Sequence, residues 1–187
     1  MQSLSHESAP PPPALGQVRV VLCQTSHPGN IGACARAMKT MGLHDLFLVQ
    51  PKHFPHPEAE AMASRATDVL DHARVCATLD EALHGTVFAA ASTARNRNLS
   101  HPVLAPRETA ARMIEEAQHG PVALVMGPEK YGLTMDEVNR CRVIASIPAN
   151  PAYSSLNLAA AVQILAYELR LAALQADSPP PKTYPPA

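Results

Sequence analysis

The chain has 187 residues, 47% of them hydrophobic, with 15 Lys and Arg against 16 Asp and Glu, no Trp, three Phe and four Tyr. That length suits one domain with flexible ends and a substantial core, which Ala, Val and Leu must largely fill. Cys23, Cys34, Cys76 and Cys141 form no C-x-x-C pair, which argues against a disulfide framework or a zinc site and for small buried thiols in a reducing compartment. No apolar run approaches the ~20 residues of a membrane span, and the N-terminus has no basic region followed by an apolar one; the expected location is the cytoplasm.

In chain order, Met1–Gln17 contains four consecutive prolines, Pro10 to Pro13. Such a run favours extended, solvated backbone, so residues 1–17 are expected to be a tail. Continuous apolar runs follow at Val18–Cys23, Leu46–Val49, Val87–Ala91, Val122–Met126 and Val143–Ile147. Buried parallel strands read this way, without polar alternation. Between them lie helical stretches: Ile31–Met41, stopped by Gly42; Arg107–Gln118, opened by Pro106 and closed by Gly120; a short helix after Thr134, with Glu137 at the capping-box position; and the long, mostly apolar Ser155–Ala173. Residues 51–83 suggest one or two short helices and a short strand near Val75 and Cys76. The alternation predicts one α/β domain over residues 18–175 around a mostly parallel sheet. A proline-rich linker or tail covers residues 176–187.

Three stretches lack Asp and Glu: Ser8 to His44 with Arg19, Arg36 and Lys39; Ala82 to Arg107 with Arg95, Arg97 and Arg107; and Val138 to Tyr167 with Arg140 and Arg142. If they converge they form a local positive patch; otherwise they are scattered, solvated cations. The strand–glycine–helix passage at His27-Pro28-Gly29-Asn30-Ile31-Gly32 invites a phosphate-binding reading. It is G-x-x-G rather than G-x-G-x-x-G, however, and Gln50-Pro51 stands where a ribose-binding acid would, which argues against a nicotinamide enzyme. No P-loop motif occurs. His53 and His56 flank two residues including Pro55 and have no third ligand nearby, so a loop is expected rather than a metal site.

Two polar entries to alanine-rich helices, His27–Gly32 and Ser154-Ser155-Leu156-Asn157, lie far apart in sequence and suggest one composite site. Together with Arg36-Ala37-Met38-Lys39 and Met126-Gly127-Pro128-Glu129-Lys130-Tyr131-Gly132-Leu133, they make the region from Val18 to Leu174 resemble the SPOUT-class RNA 2′-O-ribose methyltransferases. It is most similar to the bacterial enzymes that methylate cytidine or uridine 32 in the tRNA anticodon loop. The resemblance implies a C-terminal trefoil knot, a homodimer, tRNA as substrate and S-adenosylmethionine as methyl donor, with no metal. The donor-binding loops would be Ser92-Thr93-Ala94, Gly127 and its neighbours, and Ile147 through Ser154, Ser155 and Leu156.

Carried onto this chain, the family's catalytic arginine is Arg36. A guanidinium with a pKa above ~12 is a poor base near neutrality, so Arg36 is expected to orient the target phosphate and ribose and to stabilise the developing alkoxide. Ser155 would contact this arginine or cap its helix. Asn30 and Asn157 would lock loop geometry and touch substrate, and Glu129 would orient its loop or pair with Arg36. Arg36, Lys39, Arg95 and Arg97 would meet tRNA phosphates. Longer relatives carry a C-terminal extension that helps bind tRNA; this sequence ends at Ala187, so donor binding and dimerisation are expected with weak tRNA methylation, and its few aromatics offer little for stacking bases. Two alternatives stay open: a methyltransferase acting on another tRNA position or on ribosomal RNA, and a non-catalytic RNA-binding dimer.

Overall fold

A computed structural model describes residues 10–94 and 101–178. Seven strands form one sheet in the order β3-β2-β1-β6-β4-β7-β5: β1 (Val18–Cys23), β2 (Asp45–Val49), β3 (Arg74–Cys76), β4 (Phe88–Ser92), β5 (Val103–Leu104), β6 (Val122–Met126) and β7 (Val143–Ala145). Every pairing is parallel. The helices are α1 (Pro28–Thr40), α2 (Pro57–Ala63), α3 (Thr67–Asp71), α4 (Leu79–Leu83), α5 (Pro106–Glu116), α6 (Met135–Asn139) and α7 (Leu158–Ala176).

The apolar runs are continuous because both sheet faces are covered. One face buries Val18, Val20, Leu22, Leu46, Leu48, Ala90 and Leu124 with residues of α1, α2, α3, α5 and α7. The other buries Val21, Cys23, Phe47, Val49, Ala91, Val125 and Ile144 against Leu79 and Ala82 of α4 and Val138 of α6. All four cysteines are free and buried. Burial pushes the Cys141 thiol up to about 12 and raises those of Cys23 and Cys34 as well, which makes them inert packing groups.

Several boundaries move. α1 starts at Pro28 rather than Ile31, because proline in the first turn costs no hydrogen bond. Gly29 and Gly32 are therefore helical, not turn, glycines. A Cβ on Gly32 would overlap the Ala59 carbonyl oxygen, so this position lets α1 and α2 pack backbone to backbone. Gly42 stops α1 with φ of 84°, and Thr134 with Glu137 forms the expected capping box. The expected tail 1–17 does not hold at its inner end, where Pro13–Gln17 forms a 3₁₀ turn whose Leu15 is only 1% exposed and joins the core; residues 1–9 and 179–187 of the two expected tails lie outside the described residues. Residues 51–83 yield α2, α3, β3 and α4, and β5 matches none of the apolar runs.

α7 begins at Leu158, not Ser155, and its cap is Asn157, whose Oδ1 accepts from the Ala159 N–H at 2.9 Å. This 19-residue helix is long and apolar enough to cross a membrane by length and composition, although its sequence is not an unbroken apolar run. Here Leu158, Val162, Leu165, Ala166, Leu169 and Ala173 pack into the core, while Ile164, Tyr167, Leu171 and Leu174 stay exposed along one side.

Candidate active site

In parallel α/β sheets, ligands sit beyond the carboxyl ends of the strands, where the connections diverge. That edge carries the loops leaving β1, β4, β6 and β7. Those after β4, β6 and β7 line a cavity of about 300 Å³, within the range of small-molecule sites. Ser92, Thr93, Ala94, Gly127, Ile147, Ser154, Ser155 and Leu156, the eight residues named above as a donor site, all line it. Met126, Pro128, Glu129, Lys130, Gly132, Leu158 and Ala161 complete the wall; the first five belong to the motif around Gly127, whereas Leu158 and Ala161 read as ordinary apolar residues of the long helix. Gly127 is required by its surroundings: a Cβ there would meet the backbone of Gly132 and Leu133. Its absence lets the Pro128–Gly132 segment fold back, closed by a Gly132 N–H to Pro128 C=O bond of 2.9 Å.

Glu129 is the hub of this region. Its Oε2 accepts from the Ser26 N–H at 3.2 Å and the Ser26 hydroxyl at 3.0 Å; its Oε1 accepts from Asn30 Nδ2 at 2.8 Å and the His27 N–H at 3.4 Å. Burial alone would raise its pKa, but hydrogen bonds from Asn30, its own N–H and Ser26 outweigh that and hold the carboxyl below the usual carboxylate range. A carboxylate so saturated is a poor proton acceptor, so Glu129 acts as a brace and not as a base. The bonding continues: Asn157 Nδ2 donates to Asn30 Oδ1 at 3.4 Å, and Asn157 Oδ1 caps α7. One polar chain thus ties the loops after β1 and β6 to the start of α7 and fixes the orientation of both amides. Ser26 and His27, separated from Glu129 by 103 and 102 positions, carry no local signal of this role.

The other named residues stand apart from the brace. Ser155 is exposed on the cavity wall and does not cap α7. Arg36 is exposed on α1, and among the described residues it makes no hydrogen bond or ion pair, so the expected contacts with Ser155 and Glu129 are not made within one chain. Lys39 donates to Asp68 at 2.8 Å and to the Arg65 carbonyl at 2.9 Å, which gives it a structural partner. Arg95 and Arg97 lie outside the described residues. Among the described residues, several cations of the acid-free stretches have acidic neighbours: Arg19 lies near Asp45, Arg107 near Glu168, and Arg140 between Asp80 and Asp136. His56 accepts from the Glu58 N–H and caps α2.

Fold and loop arrangement define a class, and comparison with known proteins supplies it. The SpoU rRNA Methylase family profile matches residues 17–167, and the chain belongs to that family. It is 54% identical over 169 residues to the tRNA (cytidine/uridine/adenosine-2′-O-)-methyltransferase TrmJ of Pseudomonas aeruginosa (strain UCBPP-PA14). The match covers 90% of this chain and 66% of that protein, so the chain spans just under two thirds of its relative's length. The crystal structure of TrmJ from Z. mobilis ZM4 superposes with a TM-score of 0.78 at 42% identity, covering 81% of this chain and 67% of that one. The SpoU methyltransferase AviRb from Streptomyces viridochromogenes, solved in complex with AdoMet, shares the fold at 21% identity and a TM-score of 0.65, covering 84% and 60%.

Proposed function

We propose that the chain is the catalytic part of an S-adenosylmethionine-dependent tRNA methyltransferase that modifies the ribose 2′-hydroxyl of cytidine or uridine 32 in the anticodon loop. The observation that carries this reading is the convergence of Ser92–Ala94, Gly127, Ile147 and Ser154–Leu156 on one cavity, in a family with tRNA-directed relatives 52–54% identical to this chain. The lining suits the donor chemically. Ile147 and Leu156 offer apolar faces to an adenine, Gly127 permits close backbone approach, and Ser92, Thr93, Ser154 and Ser155 offer hydroxyls to polar groups. When bound, S-adenosylmethionine supplies an electrophilic methyl group on a sulfonium. The protein's part is alignment, which can contribute ~7–11 kcal/mol of barrier lowering at best. The Glu129–Asn30–Asn157 chain holds the loops in register, and Arg36 orients the target phosphate and stabilises the oxyanion as the hydroxyl gives its proton to solvent water.

Arg36 is unpartnered within one chain among the described residues, and Ile164, Tyr167, Leu171 and Leu174 recur at three- and four-residue intervals on the open side of α7. Both features support a homodimer in which a second copy covers that stripe. The test is to incubate the protein with S-adenosylmethionine and unmodified tRNA and to map ribose methylation. Methyl at nucleotide 32 is the expected product. Methyl at another position gives the alternative target, and failure to bind the donor in calorimetry rejects the enzyme in favour of a non-catalytic RNA-binding dimer.

A further inference from the structure

The rim of the cavity carries two aromatic rings that the core does not explain. Tyr153 is 81% exposed and Tyr131 is 62% exposed, although tyrosine ordinarily buries most of its ring. Each is presented by a built turn. Tyr131 sits in the Pro128–Gly132 segment, held from within by Glu129. Tyr153 closes a turn in which its N–H donates to the Asn150 carbonyl at 2.9 Å, while the Ala152 N–H donates to Asn150 Oδ1 at 3.0 Å. Lys130, Gly132 and Ser154, the residues beside the two tyrosines, line the cavity, but the tyrosines themselves do not. A small molecule inside the cavity therefore does not account for them; they stand in solvent next to residues of its wall. Lys130 lies 5.3 Å from the Tyr131 ring centre, so a cation accompanies one ring. Exposed rings beside a cation are the means by which proteins hold unpaired nucleic acid, since every base has a π face and every linkage a phosphate.

We propose that Tyr131 and Tyr153 form a stacking platform for unpaired nucleobases flanking the ribose that enters the cavity. This reverses the expectation that the chain has little for stacking, and it rests on the reading of the cavity as the site of an RNA methyltransferase. The platform reads single-strandedness rather than base identity: stacking tolerates any base, whereas a base inside a duplex has no free face.

The test uses the full chain and its Tyr131→Ala, Tyr153→Ala, Tyr131→Phe and Tyr153→Phe variants. Three quantities are measured: anisotropy of a labelled RNA hairpin with an unpaired loop beside the same sequence paired as a duplex, calorimetric affinity for S-adenosylmethionine, and sedimentation. Each alanine variant should bind the hairpin roughly five- to a hundredfold more weakly. Phenylalanine should hold it within about twofold, since the ring is kept. Duplex binding, donor affinity and oligomeric state should not move. If the wild type binds donor and hairpin and the alanine variants match it, the platform is overturned while the enzyme reading stands. A wild type that takes the donor but shows no preference for the unpaired loop overturns the platform in the same way. Alanine variants that lose self-association would assign the rings to an interface between copies and overturn the proposal. A wild type that binds no donor overturns the enzyme reading first.

Discussion

The Glu129 brace and the rim around Tyr153, Ser155 and Leu156 are built from neighbouring loops on opposite principles. In the brace every strong acceptor has a donor: Ser26, His27 and Asn30 surround one carboxylate, and Asn157 passes the bonding on to α7. Beside the cavity, Tyr153 and Leu156 are exposed apolar groups; elsewhere, on α1, Arg36 is an exposed cation without a carboxylate among the described residues. Saturation makes a group structural, because it has nothing left to offer a ligand. Exposure without a partner marks groups whose partners come from outside. Residues that share a motif therefore need not share a surrounding: Glu129 and Asn30 are bonded to neighbouring loops, whereas Arg36 and Ser155 are exposed.

Substitutions separate the two. Arg36→Ala should lower turnover by ~10²–10³-fold, as expected for removing one group that stabilises developing charge. Its melting temperature and donor affinity should stay near wild type, because an exposed, unbonded side chain adds little stability. A fallen melting temperature would move Arg36 into the brace. Gly127→Ala should cost about 3 kcal/mol in denaturant unfolding and weaken donor binding with it, since the new Cβ collides with backbone that cannot yield like a side chain. Unchanged stability and donor affinity would mean that the loop is not held as described.

Glu129→Gln turns one acceptor into a donor amid donors and should cost about 2 kcal/mol near neutral pH. The pH dependence has a definite sign. The folded Glu129 carboxyl titrates below its ordinary value of 4.5, so its contribution is complete above that value and is lost as pH falls through the folded pKa. Thermal melts between about pH 6 and pH 3 should fall more steeply for wild type than for Glu129→Gln; parallel curves would deny Glu129 its bracing role. The smallest effect belongs to Asn157→Ala, about 1 kcal/mol for a lost helix cap, read from the same melts.

The sequence makes some parts of this plain and hides others. Uninterrupted apolar runs such as Val18–Cys23 announce strands buried on both faces, and Thr134 with Glu137 announces a cap, because these signals are local. β5 has two residues and α4 has five, too few for any period to emerge. Pro28 and Gly29 read as a turn although Pro28 opens α1, and Gly32 serves the contact with α2 rather than a bend. The loop motifs point to the cavity residues through their resemblance to a family. What they do not reveal is that Glu129 is held by Ser26 from 103 positions away, a pairing that only the parallel sheet, with β1 beside β6, brings about.

A crystal of this chain grown with S-adenosylmethionine addresses the arrangement most directly. The donor should lie among Ser92–Ala94, Gly127, Ile147 and Leu156 with its methyl group toward the open mouth, and Glu129 should keep its bonds to Ser26 and Asn30. Density for the donor elsewhere, or a Glu129 carboxylate swung away to contact it, would contradict the account.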